Sequence, residues 1–325
     1  MKTEHLEQIK AAVEAVRKKG TINHFYFVAC GGSQAFMMPA QYLLDRELDI
    51  PSSVYSSNEF VYRAPKALGK DSVVITCSHS GTTPETVRAT EIAREKGGLT
   101  IALSFKIGSP LWEAAEYPCH YDWGKDADDT DKNKGVLYSI LFGILDALNP
   151  CEKYKAGIAA VDQLGIAIEK AKAQYSEKTA AWAKKYKRET LIYTMASGSS
   201  YGEAYSFAIC LLMEMQWIHS SCIHSGEYFH GPFEITDFDV PFVIIKSRGA
   251  TRYLDERAFN FCTKYSNEVM LVDENDFDMS GIDESVQEYF ASLITGAVLR
   301  TFADGLAYER GHDLSVRRYM WRMEY

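Results

Sequence analysis

Glu214 stands between Met213 and Met215 in a helical stretch that begins at Phe207 and is apolar almost all round. A helix of that kind is buried rather than amphipathic, and a carboxylate carried into such an interior is strongly disfavoured unless it is paired or neutral. Two readings stay open on the helix alone. Glu214 is a partnered structural carboxylate, or it is a general base whose pKa desolvation raises toward the range where proton transfer near neutral pH works best. The segment C-terminal to the helix favours the second. A short β-rich segment, Ser221 to His224, leads into a turn where Gly226, Glu227, His230, Gly231 and Pro232 fall within seven residues. A histidine beside Gly-Pro lies on a loop, where functional side chains are disproportionately carried.

A second chemical signal comes from small-residue turns. Ser78-His79-Ser80-Gly81-Thr82-Thr83 sets four hydroxyls around a glycine, between an apolar run and the Pro84 that opens a helix. Backbone amides at a helix N-terminus plus short hydroxyls make a phosphate cradle that requires no lysine. A capping box, Thr82-x-x-Glu85, would account for one hydroxyl and not four. The Walker loop and the dinucleotide fingerprint are both absent. His219, Cys222, His224 and His230 invite a metal reading, but no recognisable ligand spacing completes a site, so no metal or other cofactor is expected. The aspartate-rich segment 122–131 lacks the central glycine and closing glutamate of a calcium loop and reads as a solvated, helix-capping loop.

The elements that must position these residues alternate. Residues 4–19 form a charged amphipathic helix, and the runs 24–30, 72–77 and 99–105 are strands covered on both faces, with helices between them. After a long charged helix at about 155–187 the alternation restarts with strands at 190–196, 241–246 and 268–273 and helices at 202–218, 252–265 and 285–309. Both halves open with strand, small-residue turn and helix, ACGGS in the first and ASGSS in the second, which suggests two copies of one fold. The fold class is therefore α/β, two doubly wound parallel sheets flanked by helices in three layers. The boundaries fall at 1–154 and 155–310, with a tail at 311–325 that is rich in arginine and aromatic residues and packs rather than dangles.

Composition narrows the partners. A formal charge of −9 argues against nucleic acid, whose phosphates need a basic surface. Seven cysteines without a CxxC pair read as reduced core residues. The charged first twenty residues hold no secretory h-region, and the run Val136 to Leu145 is too short to cross a bilayer. A cytoplasmic protein without membrane partners is expected.

ACGGS, SHSGTT and a helical Glu followed sixteen positions later by the His of HGP resemble proteins with two tandem SIS (sugar isomerase) domains. The runs MEMQWIHSSCIHSGEYFHGPFEITD and RRYMWRMEY are most similar to the deglycases of 6-phosphorylated Amadori products. The resemblance implies that Gly32, Ser33, Ser78, Ser80 and Thr83, with the His79 backbone, hold a sugar phosphate. It implies that Glu214 moves a proton between C1 and C2 and that His230 assists ring opening from the other subunit of a homodimer. Glu227 and Arg318 are expected to contact substrate: the tail arginines Arg317 and Arg318 are candidate bidentate partners for the carboxylates of an aspartate moiety, or else anchors of the tail at the subunit interface. Lys2 stands where an ammonia-releasing glutaminase has its cysteine, and Leu211 where the glucosamine synthases have a lysine, so synthesis of that kind is not expected. The implied activity is cleavage of 6-phosphofructose-aspartate, a phosphosugar–amino acid conjugate, to glucose 6-phosphate and aspartate. The alternatives are a fructoselysine- or glucoselysine-6-phosphate deglycase, an aldose–ketose isomerase, and a non-catalytic phosphosugar sensor. Too few residues precede the first strand for a DNA-reading helix-turn-helix of the kind a sensor needs.

Overall fold

The computed structural model describes residues 1–324. They form two compact units, one of residues 1–165 with 280–286, the other of residues 166–279 with 287–324.

The first unit contains α1 (Thr3–Lys18), β1 (His24–Ala29), α2 (Gly31–Glu47), β2 (Ser52–Ser56), α3 (Ser57–Arg63), β3 (Ser72–Cys77), α4 (Pro84–Glu95), β4 (Leu99–Ser104), α5 (Pro110–Ala114), β5 (Tyr117–His120), α6 (Asn133–Leu148) and α7 (Glu152–Ala160). All strand pairs are parallel, in the order β2-β1-β3-β4-β5. Every residue of β3 and β4 is buried, as their unbroken apolar runs require. Tyr26, Val28, Phe60, Val74, Ala89 and Ala93 pack together between the sheet and α3–α4. The strands that the hydrophobic pattern does not reveal are β2 and β5, short edge strands whose residues are mostly half-exposed.

In the second unit α8 (Leu164–Tyr186) leads to β6 (Tyr193–Ala196), α9 (Tyr201–Tyr205), β7 (Cys222–His224), β8 (Phe242–Lys246), α10 (Arg252–Tyr265), β9 (Val269–Asp273) and α11 (Gln287–Arg310). The unit boundary falls just inside α8. Strand order is β7-β6-β8-β9, again parallel throughout, so both units share the order second-first-third-fourth and the repeat seen in the sequence is a repeat of topology. The predicted single helix over 155–187 is two helices joined by a 3₁₀ turn at Val161–Gln163. The predicted helix over 202–218 is also two elements, because α9 passes into a π-helix at Ser206–Met215. The 122–131 loop does not cap α6, whose N-cap position, Lys132, has no side-chain cap; Asp131 turns instead to His5 of α1. By length and composition the segment 284–310 could cross a membrane, but 61% of its most apolar window is buried, and α11 serves as a core helix.

The repeat differs at its turns. In the second unit the hydroxyls after β6 are engaged by protein groups: Ser197 Oγ donates to the Thr251 carbonyl, Ser199 Oγ to the Glu288 carbonyl, and Ser200 Oγ to Glu274 at 2.5 Å. Glu274 is fully buried and also accepts from Thr295 Oγ1 and the Arg248 amide. Asp255, equally buried, accepts from Ser225 Oγ and from the amide and hydroxyl of Ser247. The anions held by this copy of the turns are thus the chain's own carboxylates. Burial pushes Glu274 up to about 7, against the hydrogen bonds that lower it. A carboxyl whose folded-state pKa lies above its unfolded value stabilises fully below the unfolded value and loses that contribution as pH rises through the folded one. Stability should therefore fall between about pH 4.5 and about pH 7, by roughly 3 kcal/mol at most. Denaturant melts of wild type and Glu274→Gln across that window test this: the variant should lack that part of the slope.

Candidate functional site

Two groups of residues could carry the chemistry described above, one in each unit. In the first unit, Ala29 at the end of β1 pairs in register with Cys77 at the end of β3. These are the central strands where the order reverses, and open parallel sheets bind ligands in the crevice at such a point. Gly31 there takes a left-handed φ of 55°, and Ser33 lies in the first turn of α2 near the buried Cys77 thiol, whose pKa burial pushes up to about 12. From the other strand, Ser78 Oγ meets Thr83 Oγ1 at 2.8 Å, and Ser80 Oγ meets Thr82 Oγ1 at 2.8 Å. Neither α2 nor α4 has a side-chain cap. Among the described residues the amides of Gly31, Gly32, His79, Ser80 and Thr83 have no hydrogen-bond partner. Two helix N-termini with uncapped amides and a ring of hydroxyls suit a dianionic phosphate, and the capping explanation for Thr82 does not hold. Gly81 is required here: its φ is 66°, and a Cβ would overlap the Ser109 side chain. His79 stacks on Phe105 with centroids 5.1 Å apart and meets Tyr121 OH through Nδ1 at 3.1 Å.

In the second unit the π-helix carries Glu214. Its widened i→i+5 turns are rare and recur at functional sites. Trp217, just past its end, has a left-handed φ of 55°, a strained conformation for a bulky side chain. The indole is held between the His312 ring, 4.4 Å away, and the Arg318 guanidinium, 4.3 Å away. Glu214 is half-buried rather than sealed, its side chain 25% exposed. Its partner is Arg317, whose Nη2 lies 2.8 Å from Oε1. The Arg317 side chain is only 7% exposed, and its guanidinium is fixed by donation from Nη1 to the carbonyls of Leu314 and Val316 and by the Trp321 ring at 5.3 Å. Glu214 Oε2 has no hydrogen-bond partner among the described residues. Desolvation raises the Glu214 pKa and Arg317 opposes it, with a net upward shift. Glu214, Arg317, Arg318, Met213, Trp217 and Met320 line a cavity of about 540 Å³, within the size range of small-molecule sites. Arg318 itself is exposed and has no carboxylate partner among the described residues.

Glu227 and His230 are both exposed. Their loop rests on a firm base, with Phe229 and Phe233 packed edge-on against Phe261 and Arg257 over the Phe229 ring at 4.0 Å. The His230 amide donates to the Glu227 carbonyl, and its ring makes no hydrogen bond, ion pair or ring contact among the described residues. His224, from the cluster that invited a metal reading, accepts from the Gly226 amide through Nδ1 at 3.1 Å, and Cys222 donates to the Tyr201 carbonyl. What sequence reasoning missed is the Arg317–Glu214 pair and the seat of Trp217. The arginines of the tail are visible as candidates, but nothing local says which one reaches a residue 103 positions earlier.

The SIS domain family matches residues 21–127, the segment holding both hydroxyl turns. Fructosamine deglycase FrlB of Bacillus subtilis is 51% identical, covering 98% of this chain and 97% of its own length. Fructoselysine 6-phosphate deglycase of Escherichia coli is 29% identical over 96% of this chain and 89% of its own. A crystal structure from Bacillus subtilis, described as that of a phosphosugar isomerase, superposes with a TM-score of 0.95 at 51% identity, covering 98% of this chain and 97% of that one. The chain belongs to the SIS-domain family of which fructosamine deglycase FrlB is a member.

Proposed function

We propose that the protein is a deglycase of 6-phosphorylated Amadori products and that 6-phosphofructose-aspartate is its substrate. The observation that carries this reading is the state of Glu214: desolvated, held at one oxygen by a fixed arginine, and with the other oxygen unengaged on the wall of a cavity. The relatives named deglycases support the same reaction class.

An Amadori product is a 1-amino-1-deoxyketose. Glu214 Oε2 takes a C1 proton while the C2 carbonyl oxygen gains one, giving the enaminol. Returning a proton to C2 gives an iminium at C1, and water adds there and expels the amine. The products are glucose 6-phosphate and the free amino acid, and one water is consumed. Because one carboxylate serves both carbons, a single oxygen free to move is enough, and Arg317 fixes its direction. In this reading Gly32, Ser33, Ser78, Ser80, Thr83 and the His79 amide hold the phosphate, and His230, with Glu227 beside it, opens the sugar ring from the partner subunit of a homodimer. The exposure of His230 on an anchored loop supports a role toward a second chain. The unpaired Arg318 supports a carboxylate-bearing amine such as aspartate.

Incubation with 6-phosphofructose-aspartate, 6-phosphofructose-lysine and fructose 6-phosphate, read as free amino acid and glucose 6-phosphate, should show preference for the first. Preference for fructose 6-phosphate would assign an isomerase instead. Glu214→Gln should keep the fold and lose activity by about 100-fold or more; retention of over about a tenth removes Glu214 from the role. Arg317→Ala removes the charge that opposes desolvation, so the acidic limb of the kcat/KM–pH profile should move to higher pH. Mixing inactive Glu214→Gln chains with inactive His230→Ala chains should restore activity that neither has alone, if subunits exchange residues as proposed.

A further inference from the structure

We propose that Glu4, His5 and His120, with Asp122 beside them, form a binding site for one divalent transition-metal ion of the zinc class. His5 is fully buried on α1, and its Nδ1 lies 2.8 Å from Asp131 Oδ1. A carboxylate at that distance keeps the proton on Nδ1 and leaves the Nε2 lone pair facing the other way. That nitrogen faces His120 Nδ1 at 3.1 Å. Glu4 Oε1 and Asp122 Oδ1 each lie 3.8 Å from it. Two imidazole nitrogens bound ~2.0–2.1 Å from one tetrahedral ion stand ~3.3 Å apart. The ligand atoms of Glu4, His5 and His120 all lie within 4.8 Å of one another.

A hydrogen-bonded chain from Asp131 through His5 to His120 would satisfy the two rings, but it requires neither of the carboxylates that approach the same nitrogen. The set of two imidazoles and two carboxylates is a borderline donor set that favours zinc over calcium or magnesium. Asp131 supplies the outer carboxylate that commonly backs a metal-bound histidine. Lys2 Nζ holds the far oxygen of Asp122 at 2.6 Å, which turns Oδ1 inward. Such an ion ties α1 to β5 and to the 122–131 loop. Glu4, His5 and His120 supply three positions and Asp122 Oδ1, 3.8 Å from His5 Nε2, is the candidate for the fourth; an ion held in this way is structural and independent of the proton chemistry at Glu214.

The test uses the full chain, stripped with a chelator and dialysed, with cobalt(II) as a spectroscopic probe and zinc as its competitor. The expected result is one ion per chain, visible absorption of a four-coordinate nitrogen–oxygen site, and a raised Tm. His120→Ala and Glu4→Gln should weaken binding at least tenfold, and Asp131→Asn ~10–100-fold. Cooperative melting of these variants in chelator confirms that they fold. No ion above background, equal binding by His120→Ala, or the charge-transfer band of a cobalt thiolate would overturn the assignment.

Discussion

The ion pair between Glu214 and Arg317 is the constraint on which the proposed chemistry rests. Alone, a desolvated carboxylate at this position would be a stronger base than water-exposed acids but free to rotate. A sealed, bidentate pair would be an inert strut, since a fully engaged carboxylate cannot accept a substrate proton. The structure lies between these limits. The closest approach is Nη2 to Oε1, no hydrogen bond to Oε2 is found among the described residues, and desolvation still dominates the Glu214 pKa. A permanent cation beside the acid is thus compatible with base chemistry because it engages a single oxygen. The same contact makes the C-terminal segment part of the site, since Arg317 is fixed by the carbonyls of Leu314 and Val316.

The two copies of the fold illustrate how one scaffold is specialised by what its turns hold. In the first unit the hydroxyls of 78–83 bond to each other, and the amides of Gly31, Gly32, His79, Ser80 and Thr83 have no partner among the described residues. In the second, Asp255 and Glu274 occupy the equivalent donors. A buried carboxylate that accepts hydroxyl and amide hydrogens does internally what a bound phosphate does from outside. The first copy keeps unpartnered donors among the described residues and the second is already filled, so the related sequences ACGGS and ASGSS stand in different surroundings.

Much of this is legible in the residues. The strands 24–30, 72–77 and 99–105 are apolar without alternation because both faces are covered, and that signal is hard to mistake. The edge strands β2 and β5 escape such a reading because they are short and half-exposed, and β5 includes a proline. The π-helix is invisible in the sequence, since 3.6-residue and wider periodicities cannot be told apart when nearly every position is apolar. The hydroxyl turns and Glu214 stand out by chemistry alone. Their partners do not: Arg317 for Glu214, and Asp131 for His5, come from distant segments that only the fold brings together.

The most direct test of proton transfer by Glu214 tracks the C1 protons of a 6-phosphorylated Amadori product by NMR in deuterated buffer, with wild type and with Glu214→Gln. The predicted result is enzyme-dependent loss of C1 protons in the wild type, slowed by at least ~100-fold in the variant. Exchange in the variant within tenfold of wild type, in a protein that melts normally, would contradict it.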